Sequence, residues 1–420
     1  MGSRRHRGMS PSALPTRRCK VAIVGAGPQA LTVAVHLAAV DPSIVEDTVV
    51  IDPDPGWMSA WRQRFDAQQI QHLRSPVVHQ PAPNPFELMT YARDRHRDGE
   101  LVGRYQLPGA RLFDDFCDHL VERHGLARCR RNTKATRVAA DGTIDLADGT
   151  AIHARHVVVA NSPTRQIVPD GCGLIGAVAH ADTVRIDSVR PGTRVAVVGA
   201  GLTAAHLVNG AAGCGAHVTW VHRSPLVERD FDVDPGWLGP REMQPFLAVS
   251  DSTERARLAI SARSGGTLPG WMVQKLALHL RAGTVAEICG MISRIETAGS
   301  TQRVVLEHRS VVVDEVWLAT GHRVAVRDDP ALTGLLADSD CLIASGFPVL
   351  DSLVRVPGTR VHLAGRAATL QLGPTAGNLS GARHAATAVV AAVFGTDEAM
   401  ELTERSNTDT CVRRPNGVPR

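Results

Sequence analysis

The feature that most constrains this chain is a turn that occurs twice. Val21-Ala-Ile-Val24 is a short apolar run, Gly25-Ala-Gly27-Pro-Gln-Ala30 follows it, and Leu31 to Val40 continues with helical spacing of apolar residues. Strand, Gly-x-Gly-x-x-Ala and helix in that order form the fingerprint of a dinucleotide-binding unit. Gly25 permits the tight turn, Gly27 lets the backbone approach a pyrophosphate, and Ala30 lets helix and strand pack closely. The helix start then offers free N–H groups and a positive dipole end to phosphates. A second strand, Val49-Val-Ile51, ends in Asp52, where a carboxylate accepts from ribose hydroxyls.

The signature recurs as Arg194-Val-Ala-Val-Val198, Gly199-Ala-Gly201-Leu-Thr-Ala204 and a helix over 205–212. Its next strand, Val218-Thr-Trp-Val221, runs into His222-Arg223-Ser224 and not into an acid. An arginine there suits the 2′-phosphate of NADP, which a carboxylate would repel. The first unit is therefore expected to hold one dinucleotide on Gly25, Gly27, Ala30 and Asp52. The second is expected to hold NADPH on Gly199, Gly201, Ala204 and Arg223. Each start is followed by a meander, 134–161 and 291–321, that closes on an apolar strand. Asp141-Gly142 and Asp148-Gly149 mark hairpin turns in the first. Two such units mean a duplicated architecture.

Composition narrows the reading. A chain of 420 residues has room for two or three domains at about 150 residues each, and 44% hydrophobic content excludes disorder throughout. No run approaches the roughly 18 apolar residues of a membrane span; the longest, Ala385 to Phe394, reads as a buried helix. Net charge +4 calls for no nucleic-acid partner. The eight cysteines lack the short spacings of redox pairs or zinc knuckles, so they read as reduced thiols of a cytoplasmic protein, with no metal site. Residues 1–19 read as a disordered basic tail and 399–420 as a polar one.

Four segments carry a family likeness. Asp314-Glu-Val-Trp-Leu-Ala-Thr320-Gly321 matches an Asp-x3-Leu-Ala-Thr-Gly-Tyr pattern, with His322 in the Tyr position. Gly56-Trp57 and the stretch from Leu107-Pro108 through Phe116 match two further motifs. Leu174-x-Gly176-x3-His180-x3-Val184 keeps the Gly and His of a monooxygenase fingerprint and lacks its aromatics. With these the chain resembles the flavoprotein monooxygenases with two dinucleotide-binding domains, above all the N-hydroxylating branch that includes lysine and ornithine hydroxylases.

The resemblance implies an α/β fold of two Rossmann-like domains, the NADPH domain inserted in the FAD domain, with a small helical substrate subdomain. Its boundaries would be 20–188 and 322–398 for FAD and 189–321 for NADPH, with a helical insertion at 229–286 near the substrate. FAD would lie on the first turn, beside Trp57 and against Gly365, Gly373, Pro374 and Leu379 of the returning segment. Thr320 and Gly321 would join the NADPH site. Relatives commonly carry Gly-Asp where this chain has Gly365-Arg366. Gln71 and His72 fall where relatives pass the flavin, and Asp230, Asp232 and Asp234 could meet a cationic amine.

The implied chemistry resides in the cofactors. NADPH reduces FAD, reduced FAD carries oxygen as a C4a-hydroperoxide, and a small-molecule amine takes it; no side-chain catalytic residue is assigned. Neither a membrane nor a nucleic-acid partner is implied, and a homo-oligomer is compatible. An S- or C-oxygenating relative, an NADPH oxidase or reductase, and a non-catalytic FAD/NAD(P)-binding sensor stand as alternatives.

Overall fold

The computed structural model describes residues 16–174, 176–263 and 265–395; the expected tail over 399–420 lies outside them. The chain enters on β1 (Thr16–Val24), turns at Gly25 and runs into α1 (Pro28–Val40). The strand thus begins four residues before the expected boundary at Lys20, because Thr16 to Cys19 pair with Ala151 to Ala154. β2 (Thr48–Asp52), α2 (Ser59–Ala67), α3 (Ala110–Arg123) and β3 (Arg130–Asn132) follow. The meander is β4 (Ala135–Val138), β5 (Thr143–Leu146) and β6 (Ala151–Val159). At its first turn Asp141 Oδ1 accepts the Thr143 N–H at 2.9 Å. Gly142 there has φ +90°, and a Cβ would stand 2.1 Å from the Ala154 carbonyl oxygen.

A short linker strand, β7 (Thr164–Gln166), leads to a second sheet. It comprises β8 (Val178–His180), β9 (Arg194–Val198), α4 (Leu202–Gly213) and β10 (His217–His222). Then come α5 (Pro240–Ala248), α6 (Ser252–Ala262), α7 (Gly270–Arg281) and β11 (Val285–Cys289). A separate antiparallel meander, β12 (Ile292–Ala298), β13 (Thr301–Leu306) and β14 (Ser310–Val313), precedes β15 (Glu315–Leu318). The return linker β16 (His322–Val324) pairs antiparallel with β7. β17 (Val361–Leu363) and α8 (Leu379–Phe394) close the chain on the first sheet.

Among the described residues the first sheet has seven strands in the order β3-β2-β1-β6-β5-β4, with β17 paired to the end of β6. The second has five parallel strands in the order β8-β15-β9-β10-β11. β1 and β9 are apolar along nearly their whole inner length because helices or meanders cover both faces of their sheets. Helix α1 is buried almost all round for the same reason, lying between the first sheet and α8.

Part of the expected insertion belongs to the second sheet instead. α7 packs Met272 and Leu276 into one core with Leu207, Val208 and Trp220, so it is the crossover helix between parallel strands β10 and β11. The segment that stands apart is α5 with α6, where Ala256 joins Ala344 and Leu370 of the returning chain. α5 was not expected from the sequence, since Pro245 lies inside it.

Candidate cofactor and substrate cleft

Strand β1 stops where Gly25 takes φ +107°, its N–H bonded to the Ile51 carbonyl. A Cβ on Gly25 would lie 3.1 Å from the backbone of Ala160 and Asn161, whereas one on Gly27 would meet nothing within 4 Å. The first glycine is thus needed for close packing and the second faces open space. No side chain caps α1, whose N-cap is Gly27, so its first N–H groups are free for an anion. Ala30 is fully buried at the helix–strand contact. Asp52 holds the turn: Oδ2 accepts from the Ala26 N–H at 2.8 Å and Oδ1 from Asp54 at 2.9 Å. Each oxygen keeps acceptor capacity for a hydroxyl. A cavity of about 560 Å³ opens here, past the strand ends, lined by Gly25, Asp52, Lys134, Thr136, Asn161 and Asp329 among others.

The second turn repeats the geometry with a difference. Gly199 has φ +145°, and a Cβ would stand 2.3 Å from the Ala319 carbonyl oxygen and 3.4 Å from the buried Ala204. Over Gly201 lies Gly266, whose own Cβ would fall 2.2 Å from the Gly201 nitrogen. That loop packs over Gly201, whereas the space over Gly27 of the first turn is open. Arg223 follows β10, exposed and without a side-chain partner among the described residues. Thr320 donates its hydroxyl to the Ile167 carbonyl, and Gly321 takes φ +83° at the start of the return linker.

Between the sheets, Gln71 is exposed, and its Oε1 accepts from Lys275 Nζ of α7 at 3.4 Å. Burial first, and then the Lys275 charge, hold the pKa of His72 below its usual value. Trp57 does not line the cleft. It is 4% exposed in the first core and gives its indole N–H to the Leu126 carbonyl at 3.3 Å. Arg74 ties the cleft wall to the insertion, donating to the carbonyls of Arg229, Asp230 and Thr267. The three expected acids separate. Asp234 caps a turn through the Gly236 N–H, Asp230 is exposed, and Asp232 accepts from Arg263 at 2.6 Å and Asn378 at 3.2 Å. Gly373 takes φ +73° against Met243 and Trp237, Pro374 accepts from Arg263 through its carbonyl, and Leu379 opens α8. Gly365 takes φ +71° beside Ser162 and Gln29.

One cluster escaped the sequence reading. His180 and His322, noted in two separate motifs, meet at Asp182. Asp182 Oδ2 lies 2.6 Å from His322 Nε2, 3.2 Å from His180 Nδ1 and 3.0 Å from Gln166 Nε2. Arg64 of α2 stands 3.4 Å from its other oxygen. Burial acts to raise the Asp182 pKa, but the hydrogen bonds from His180, His322 and Gln166 outweigh it and hold the carboxyl well below the usual carboxylate range. No spacing rule links residues 180, 182 and 322, so only the pairing of β7 with β16 brings them together.

Two glycine turns, each following a strand with parallel neighbours, one with an acid at the end of the next strand and one with an arginine just after it, define a flavoprotein fold with two dinucleotide sites. The pyridine nucleotide-disulphide oxidoreductase family model matches residues 19–235, more than half of the chain, and the chain belongs to that family. The family binds FAD and a nicotinamide dinucleotide, and the open first turn and the uncapped start of α1 fit such a cofactor. No curated protein matches the chain. Among solved structures, the FAD-bound cadaverine monooxygenase of desferrioxamine biosynthesis from Erwinia amylovora aligns with TM-score 0.72 at 15% identity. The alignment covers 90% of this chain and 95% of that one. The ornithine hydroxylase of Pseudomonas aeruginosa gives 0.71 at 15%, covering 90% and 99%. The bacillithiol disulfide reductase of Bacillus cereus gives 0.57 at 16%, covering 93% and 100%. At these identities the likeness is one of fold.

Proposed function

We propose that this chain is an FAD-dependent, NADPH-using monooxygenase that N-hydroxylates a primary amine of an amino-acid-like metabolite. The observation that carries the cofactor assignment is the asymmetry of the two turns. Asp52 closes the first and repels a 2′-phosphate, while the second ends in the unpaired Arg223. In this reading residues 20–188 and 322–398 hold FAD and 189–321 holds NADPH. Bound FAD would supply hydride acceptance and oxygen activation. The chain's own share is to bind the dinucleotides on its two turns, to hold the two sheets at a fixed separation, and to cover the cleft with α5 and α6.

Amine hydroxylation draws support from the TM-scores, which are higher for the cadaverine and ornithine hydroxylases than for the disulfide reductase. The thiols point the same way. The described cysteines are free, and burial drives the thiol pKa of Cys19 to about 12 and of Cys129 to about 11, far from a reactive thiolate. Asp232 is the acid of the insertion that reaches the returning segment, through Asn378 at 3.2 Å.

The test is to reduce the purified protein with NADPH without oxygen, readmit oxygen with a panel of diamines and basic amino acids, and quantify product. Hydroxylamine formed in step with NADPH consumed is the expected outcome. Peroxide as the sole product with every amine would favour an oxidase, sulfoxide or ester products a different oxygenase, and no flavin bleaching by NADPH a non-catalytic binding protein.

A further inference from the structure

Three polar groups around the first turn lack the partners their burial demands. Gln29, in the first turn of α1, is 8% exposed. Its amide nitrogen donates toward the carbonyls of Asn378 at 3.2 Å and Ala376 at 3.5 Å, so the amide's orientation is fixed by the loop before α8. That leaves Oε1, a buried acceptor, with no donor among the described residues. Thr375, 1% exposed in the same loop, has a hydroxyl without a partner among the described residues. Buried polar atoms are rarely left unpaired, since each costs the desolvation of the group.

Arg366 supplies the third. It follows Gly365, whose Cβ position would lie 3.6 Å from Gln29 Cγ. Its stem runs across Gly377, where a Cβ would come within 2.6 Å of Arg366 Cγ, so the absence of a side chain at 377 makes room for it. Its guanidinium has no hydrogen-bond or ion-pair partner among the described residues. Burial, then the nearby Arg263 and Arg64, lower its pKa, and Asp232 alone opposes them. Asp232 is already engaged by Arg263 and Asn378. Two uncapped helix starts, at Gly27 and Asn378, add positive potential to the same place. A half-buried cation among cations, with no carboxylate to meet it, is arranged for an anion that comes from outside the chain. Beside it stands an acceptor with no donor, which calls for a hydroxyl.

We propose that Gln29 and Arg366 form the subsite for the polyol–diphosphate link of the flavin dinucleotide, with Gln29 Oε1 accepting from a polyol hydroxyl and Arg366 donating to a phosphate. The assignment rests on the FAD reading above. It gives this chain an arginine and an amide where an acidic side chain would otherwise accept from the polyol.

The test titrates the deflavinated full-length chain with FAD, FMN and riboflavin, following flavin fluorescence. Riboflavin keeps the polyol and lacks phosphate, so the probes separate the two contacts. Arg366→Ala is expected to weaken FAD and FMN at least about tenfold and leave riboflavin within about twofold. Gln29→Met is expected to weaken all three by roughly three- to tenfold. Arg366→Lys should recover part of the FAD loss, and it carries the comparison if the alanine variant does not fold. Equal FAD affinity in wild type and Arg366→Ala overturns the phosphate contact, as does an equal loss for riboflavin. A Gln29→Met protein with unchanged riboflavin affinity overturns the polyol contact. A wild-type chain that binds none of the flavins overturns the FAD reading itself, and the pattern across variants keeps that outcome distinct.

Discussion

Gly199 and Arg223 would serve the proposed NADPH site in very different ways. Gly199 serves it through what it lacks: at φ +145° a Cβ would be driven to 2.3 Å from the Ala319 carbonyl. Gly199→Ala should therefore destabilise the second sheet by about 2 kcal/mol, combining a disfavoured backbone with the clash. A thermal melt of the flavin-free protein reads this directly, and an unchanged Tm would mean the turn relaxes freely. In the proposed NADPH site Arg223 would serve through charge alone, being exposed and unpaired among the described residues. Arg223→Ala should raise KM for NADPH about tenfold or more while leaving NADH unaffected, with Tm unchanged. A parallel rise for both nucleotides would place the 2′-phosphate elsewhere. Gly199 was legible in the sequence because a glycine turn has a fixed grammar. Trp57 was not, since a Gly-Trp step leaves open which face of the chain the indole takes.

At the scale of elements, strands and turns are legible in the sequence and helices less so. The hairpin signals at Asp141-Gly142 and Asp148-Gly149 mark the true turns, because an Asp that accepts from the N–H two residues on and a glycine at positive φ are local devices. Helix α5 hides behind its proline, and α7 was assigned to an insertion because sequence alone does not say against what its apolar face packs. The junction at Asp182 was invisible for the same reason. Its carboxylate takes hydrogen bonds from both linker strands and from the end of β8, and it meets Arg64 of the first unit. Asp182→Asn keeps the size and loses the charge. It should slow NADPH-dependent flavin reduction at least about fivefold while leaving FAD affinity unchanged, because it loosens the separation of the sheets and touches neither turn. Stopped-flow reduction and FAD titration together decide the matter; loss of FAD affinity would make the residue merely structural. The sign of its pH dependence follows from its depressed pKa: the junction is complete above the usual carboxylate range and weakens only in strong acid.

Across the whole molecule the acid response should be set by buried histidines, not by that junction. His36 of α1 lies between the first sheet and α8, 3% exposed, with neither ring nitrogen partnered among the described residues. Burial, then the Arg383 charge, lower its pKa from 6.5 to about 3. His206 of α4, in the second core, is lowered to about 4 by burial and then by Lys275. An unfolded chain would protonate both near 6.5, and the folded chain does not, so acid favours unfolding. The stability they contribute is fully present above that value. It falls as pH drops toward 4 for His206 and toward 3 for His36, by up to about 1.4 kcal/mol per pH unit for each. At least one such group sits in each sheet's core, so neither unit can shelter the other. The melting temperature should decline steadily from pH 7 to pH 4.5. In His36→Leu, which replaces two unpartnered nitrogens with apolar surface, the decline should be visibly shallower and Tm at pH 7 no lower than in wild type. A variant whose Tm falls with pH as steeply as wild type would show that His36 takes up its proton in the folded state, through an opening of α1 that the packing between sheet and α8 does not suggest.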